Sequence, residues 1–217
     1  MMKTKNKYLL NKRLKILKFA KIVVAKDGLT SNTFKNISKK YDLNIDEMNL
    51  LFPDGKNDFL QFVLEQLNID LENYCKKLDL IRLPIHKRIR KILLSKIYIM
   101  DKEKKFYKKI FLNLLIPKKN FSLPIKLYKS VDQIWFIAGD TSVDFNFYTK
   151  RATLAAVYSA TRLFWLNDDS TDAQDSWAFL DRRIDNVMQI EKGKAKFREL
   201  QDRLGNPLET LAKFRYR

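Results

Sequence analysis

The chain has 217 residues, 46% of them apolar and 31% charged, with a formal net charge of +18. That length supports one compact body or a small unit joined to a larger one. A single cysteine, Cys75, excludes an internal disulfide framework and suits a reducing compartment, and no stretch nears the ~20 apolar residues of a membrane span.

The charge is unevenly placed. Residues 1–120 hold 28 Lys or Arg against 12 Asp or Glu, and residues 121–217 hold 15 against 13. The span from Lys76 to Lys119 alone has 15 basic and 3 acidic residues. Such a field attracts nucleic acid or acidic phospholipid; the plainer reading is a well-solvated lysine face. At the N-terminus, Asn11, Lys12 and Arg13 interrupt the apolar residues after Lys3, Lys5 and Lys7, so no signal-peptide core forms. A soluble or peripheral protein is expected.

With 5 Gly, 5 Pro and recurrent helical periodicity, an all-α protein is expected. Leu14, Leu17, Ala20, Ile22 and Val23 predict a first helix ending near Asp27-Gly28. Ser31 or Asn32 caps a second through Ile37, Tyr41-Asp42-Leu43 makes a turn, and Ile45–Leu51 forms a third, stopped by Pro53 and Gly55. This order resembles the DNA-binding head of TetR-type regulators. Yet the third helix is flanked and lined by Asp42, Asp46, Glu47 and Asp54, with no Lys or Arg between Lys40 and Lys56. Carboxylates facing phosphate repel, so the head is expected as architecture and nucleic acid is disfavoured as a partner. Further helices follow at Phe59–Leu67 running towards Tyr74, at Ile85, Ile89, Leu93 and Ile97 after Pro84, and at Phe106–Leu115 before Pro117.

The next stretch, Asp132 to Arg151, is the most informative. Val131, Ile134, Trp135 and Ala138 mark one buried helix face, and Gly139 fits a left-handed helix end. Thr141 with Asp144 resembles a capping box for a helix from Ser142 to Leu166, carrying the small residues Ala152, Ala155, Ala156, Ser159 and Ala160. Phe145, Phe147 and Tyr148 cannot all face inward on that helix, so at least one is expected at the surface as part of a binding patch. A last helix carries Trp177, Leu180, Ile184, Val187 and Met188 after Asp168-Asp169-Ser170.

The pattern Asp132-x-x-Trp135-x-x-Ala138-Gly139-Asp140-x-Ser142-x-Asp144-Phe145-Asn146-x-Tyr148-x-x-Arg151 resembles the signature of the Coq-nine family of ubiquinone-biosynthesis accessory proteins. The likeness continues through Thr153–Tyr158 and Asp168-Asp169-Ser170 to Trp177-x-Phe179-Leu180-x-Arg182-Arg183-Ile184, over roughly the last 90 residues. The resemblance implies a TetR-like helical bundle, with a helix-turn-helix head over residues 1–56 and a larger ligand-binding helical region over 57–203. It also implies a non-catalytic, lipid-binding homodimer that works with a di-iron demethoxyubiquinone hydroxylase, or an equivalent hydroxylase of that pathway. No cofactor is expected, the ligand being an isoprenoid quinone intermediate or a phospholipid. The expected place is peripheral, on the cytoplasmic face of an inner membrane, or on the matrix side of a mitochondrion in a eukaryote. A TetR-type regulator with a lipid effector is the alternative.

Carried onto this chain, the partner-binding residues are Asp132, Ile134, Asp144, Phe147 and Tyr148, where Phe147 replaces the family's usual Trp. Lipid contacts are expected from Leu154, Val157, Tyr158 and Leu163, faced by Trp177, Leu180, Ile184 and Met188 across a cavity left by the small residues. Residues 204–217 read as a short basic amphipathic tail. Gly205-Asn206-Pro207 breaks the preceding helix, and Leu208, Leu211 and Phe214 alternate with Lys213, Arg215 and Arg217, a pattern suited to an anionic membrane surface. Catalysis finds no support. His86 is the only histidine, and a di-iron site built on Glu-x-x-His pairs needs two, so the chain is not expected to be the hydroxylase or to hold a metal.

Overall fold

A computed structural model describes residues 2–115, 123–140 and 145–204. Within them the chain is all-α: α1 (Met2–Asp27), α2 (Ser31–Tyr41), α3 (Ile45–Leu51), α4 (Lys56–Cys75), α5 (Ile85–Asp101), α6 (Lys104–Leu115), α7 (Leu123–Ala138), α8 (Phe145–Trp165) and α9 (Gln174–Leu204). A single 3-10 turn, Thr171–Ala173, precedes α9.

The breaks between helices follow from local chemistry. Gly28 ends α1 at φ +79°, a conformation that costs a residue without Cβ least, with its N–H 2.9 Å from the Val24 carbonyl. Helix α2 runs to Tyr41, four residues past the expected end, because Asp42 adopts the left-handed conformation (φ 50°) and only there stops it. The expected bounds of α3 hold. Asn44 accepts from the Glu47 N–H at 2.8 Å while the Glu47 carboxylate accepts from the Asn44 N–H at 3.1 Å, a reciprocal capping box.

Two apolar clusters form the core. One gathers α1 to α4 with α6 and the ends of α5 and α8, centred on Phe52, Phe59 and Phe62, and it includes Trp165. Helix α1 contributes Ile16, Leu17, Ala20 and Val24 to it, whereas Leu14 and Ile22 are 38% and 70% exposed. Positions 16, 17, 20 and 24 share the inward face, and Ile22 lies opposite. The second cluster joins Leu71 and Cys75 of α4 to Ile89, Ile92 and Leu93 of α5, Val131, Ile134 and Ala138 of α7, Leu154 and Tyr158 of α8, and Leu180 of α9. Because α8 enters both clusters, the three-helix head rests directly on the C-terminal half.

Candidate functional site at the junction of helices 7 and 8

Helix α7 ends as its sequence requires. Gly139 sits at φ +82°, and the Asp140 N–H bonds the Trp135 carbonyl at 3.0 Å, closing a Schellman-type end. Arg88 of α5 braces that end, donating to the carbonyls of Ala138 at 3.0 Å, Leu83 at 2.7 Å and Ile81 at 2.7 Å.

Arg151 organises the junction. It is 8% exposed, and its guanidinium meets Asp132 Oδ1 at 2.7 and 2.8 Å and Asp140 Oδ2 at 3.5 Å. It also lies 3.3 Å from the centroid of the Phe147 ring, one helical turn back. Lys150 pairs with Asp140 at 2.9 Å and lies 5.6 Å from the centroid of the Trp135 ring. A largely buried arginine thus ties α7 to α8 and fixes the aromatic against which it stacks. Outside this hub, Phe147 meets Tyr148 edge-on at 5.2 Å, and Tyr148 is 68% exposed. Phe136, one turn after Asp132, is 75% exposed. Half-exposed Asp132, half-buried Phe147 and exposed Phe136 and Tyr148 form an aromatic surface beside a carboxylate.

Of the five expected partner residues, Asp132, Phe147 and Tyr148 come together here. Ile134 does not: it is 0% exposed in the second core cluster. The reason is helical geometry, since residues two apart point about 200° apart, and an outward Asp132 sends Ile134 inward. Asp144 and the expected Thr141–Asp144 cap lie outside the described residues.

The expected lipid residues divide. Leu154, Val157, Tyr158 and Leu180 are buried together in the second cluster, with Ile184 packed against it. Trp177 instead packs on the first cluster, Met188 is half-buried, and Leu163 is 47% exposed, facing away. Ala152 and Ala156 are on the exposed side of α8, so their small size leaves no room between α8 and α9. A cleft of about 790 Å³ lies elsewhere, between α1, α4 and the α5–α6 connection, and none of the eight expected lipid residues lines it.

Beside Tyr158 the structure holds a polar group, centred on Lys96, that the sequence reading did not single out. Lys96 is 0% exposed and donates to Asn68 Oδ1 at 3.0 Å and to Ser130 Oγ. Its Nζ lies 5.1 Å, and the Arg162 guanidinium 5.3 Å, from the centroid of the Tyr158 ring. Among the described residues neither cation has a carboxylate ion-pair partner, and Arg162 Nε is buried without a hydrogen bond. Burial drives the Lys96 amine below its ordinary value, and the nearby Arg162 charge adds to that. Burial alone would raise the Tyr158 phenol; Lys96, Arg162 and the Ser130 hydroxyl outweigh it and draw the phenol down. Such a group offers concentrated positive charge and donors to an oxygen atom. The Cys75 thiol, by contrast, is pushed up to about 11 by burial, which removes its nucleophilic form. Among the described residues no cluster of His, Cys, Asp or Glu is placed to hold a metal ion.

The family model of COQ9 matches residues 122–191, a span that contains the Arg151 hub, Tyr158 and the first half of α9. The mitochondrial ubiquinone biosynthesis protein COQ9 of Rattus norvegicus is 44% identical over 80 residues, 36% of this chain and 26% of that protein. The Homo sapiens protein of the same name is 42% identical over 80 residues, 36% of this chain and 25% of its own. The probable coq9 protein of Dictyostelium discoideum is 35% identical over 94 residues, 43% of this chain and 30% of that protein. The matched segment thus spans about a quarter of the first two relatives' length. In three dimensions the chain is similar to the crystal structure of a TetR transcriptional regulator from Nitrosomonas europaea ATCC 19718. The TM-score is 0.66 at 16% identity, covering 82% of this chain and 98% of that one, a likeness of fold. Among its described residues the chain therefore combines an all-α TetR-like fold with a C-terminal segment, residues 122–191, that matches the COQ9 family model.

Proposed function

We propose that the chain is a non-catalytic accessory protein of ubiquinone biosynthesis, which binds polyprenyl-quinone intermediates at an anionic membrane surface and presents them to a di-iron hydroxylase. The observation that carries this reading is the coincidence of two independent features. The COQ9-matched segment, whose relatives are named mitochondrial ubiquinone biosynthesis proteins, is also where Arg151 holds an exposed aromatic surface beside Asp132. Exposed aromatics next to a fixed charge are what a protein partner's pocket takes up.

On this reading the isoprenoid chain lies against Leu154, Val157, Leu180 and Ile184. The head group's oxygens meet Tyr158, Lys96 and Arg162. These apolar residues are packed shut, so loading requires α8 and α9 to part, which fits a protein that releases its ligand to a partner. A regulator that reads DNA is less favoured. Helix α3 carries Asp46 and Glu47, and Glu47 already occupies Lys12 at 3.1 Å. In a eukaryote the protein would sit on the matrix side of the inner mitochondrial membrane, in a bacterium on the cytoplasmic face; homodimerisation belongs to the same proposal. Among the described residues no helix is long and apolar enough to cross a membrane.

The test is capture of the hydroxylase of the same organism by full-length wild type, Phe147→Lys and Tyr148→Lys. Tyr148 is largely exposed, so its variant should melt as wild type does while capturing at least about tenfold less partner, the loss of one aromatic anchor. Undiminished capture by both folded variants would contradict the partner surface.

A further inference from the structure

The cleft away from the junction has a composition of its own. It opens between α1, α4 and the α5–α6 connection, with a volume of about 790 Å³. Leu14, Leu17, Ile22, Val63 and Phe106 form its apolar lining, and five lysines stand around it. Two are engaged: Lys21 pairs with Glu103 at 2.6 Å, and Lys104 bonds the Asp168 carbonyl. Lys18, Lys102 and Lys105 are exposed and form no ion pair among the described residues. The carboxylates present are Glu103, Asp101, which accepts from Trp165 at 2.8 Å, and Asp70. The basic surface continues along α6, where Lys105, Lys108, Lys109 and 45%-exposed Leu112 recur at i, i+3, i+4 and i+7 on one outer face. Lys109 runs past Gly28 at the end of α1, so the α1 and α6 surfaces are continuous.

We propose that this α1–α6 face docks on an anionic bilayer and that the cleft takes the head group of one acidic phospholipid, its glycerol end against Ile22 and Leu14. The inference rests on the membrane reading above and assigns it to a surface outside the COQ9-matched segment. Charge complementarity selects an anion. Apolar side chains among the lysines select a lipid: a phosphodiester backbone has no use for exposed Ile22, whereas an interface does. The open cleft is of the size that small-molecule head groups occupy.

Full-length variants and co-sedimentation with phosphatidylcholine vesicles, with and without phosphatidylglycerol, test it. Each lysine at an anionic surface is worth about fivefold in binding, so Lys18→Glu/Lys102→Glu/Lys105→Glu should lose about 100-fold or more on the anionic vesicles. The same charge change on α2, Lys35→Glu/Lys39→Glu/Lys40→Glu, should lose far less, and Ile22→Ser should lose roughly threefold or more. All these side chains are exposed, and unchanged melting curves confirm that the variants fold. If wild type ignores anionic vesicles, both this surface and the membrane reading fail. If wild type binds and the α1–α6 variant binds equally, only this surface fails and the contact passes to residues 204–217. Equal losses from the α2 variant, or tighter binding to duplex DNA that Ile22→Ser does not disturb, would also overturn the proposal.

Discussion

Replacing Arg151 with Gln removes the guanidinium that contacts Asp132, Asp140 and Phe147 at once and leaves Lys150–Asp140 as a tie between the two halves of the junction. Three contributions can be weighed. The contact with Asp132 is half open to water on the acid's side and contributes about 0.5–1 kcal/mol. The contact with Asp140 lies between side chains only 9% and 6% exposed, where screening is weak; Lys150 still holds that carboxylate at 2.9 Å, so its loss costs about 1 kcal/mol. The stack on Phe147, 3.3 Å from the ring centroid and largely dry, is worth about 1–2 kcal/mol. Together these predict a loss of about 3 kcal/mol, or a fall in Tm of roughly 6–12 °C for a chain of this size. Arg151→Lys keeps the charge without the planar fork, and should lose about half as much. Scanning calorimetry reads both. A loss below about 0.5 kcal/mol for Arg151→Gln, or a Lys variant as stable as wild type, would refute the assignment of Arg151 as the organiser.

Two further outcomes follow from the buried polar groups. Asp168 is 4% exposed and accepts from the backbone N–H and hydroxyl of both Ser170 and Ser176; burial opposes its charge, but these bonds prevail and hold its pKa at about 2 rather than 3.8. A carboxylate depressed in this way stabilises the fold above the unfolded value and stops doing so as pH falls through the folded one. Asp168→Asn should therefore cost about 2 kcal/mol at pH 7 in urea unfolding, with the gap to wild type narrowing only below about pH 4; a gap unchanged down to pH 2 would contradict it. Lys96→Met should change stability by about 1 kcal/mol or less at pH 7, because the removed desolvation cost and the lost hydrogen bonds oppose each other. The folded amine gives up its proton before the unfolded one does, so wild type should gain on the variant as pH rises towards 10. A difference independent of pH would show that Lys96 is not depressed.

Much of the fold was legible because helix ends are written in local chemistry. Pro84 and Gly139 each mark a boundary the structure keeps, and the Ile45–Leu51 helix keeps the bounds set by the turn before it and Pro53 after it. The buried face of α5 could be read as Ile89, Leu93 and Ile97, yet the same spacing passes through Lys96, and the pattern was there to show a lysine turned inward. The Ile134 assignment conflicted with its own helix: Val131, Ile134 and Ala138 already formed one buried face, which leaves Asp132 outside. The lipid residues illustrate a different limit. Periodicity reports that α8 and α9 have apolar faces, but only tertiary packing decides that Leu154 and Leu180 meet while Leu163 looks outward. The cleft was invisible for the same reason, being assembled from α1, α4 and the α5–α6 connection, segments far apart in sequence.

The proposed role stands most directly on what the protein carries. Lipids extracted from full-length protein purified from its own organism, without detergent exchange, can be identified by mass spectrometry. A polyprenyl-quinone intermediate is expected in repeated preparations, reduced when Tyr158→Phe removes the hydroxyl that Lys96 and Arg162 surround. Preparations that carry no isoprenoid quinone, while remaining folded and able to bind added phospholipid, would contradict it.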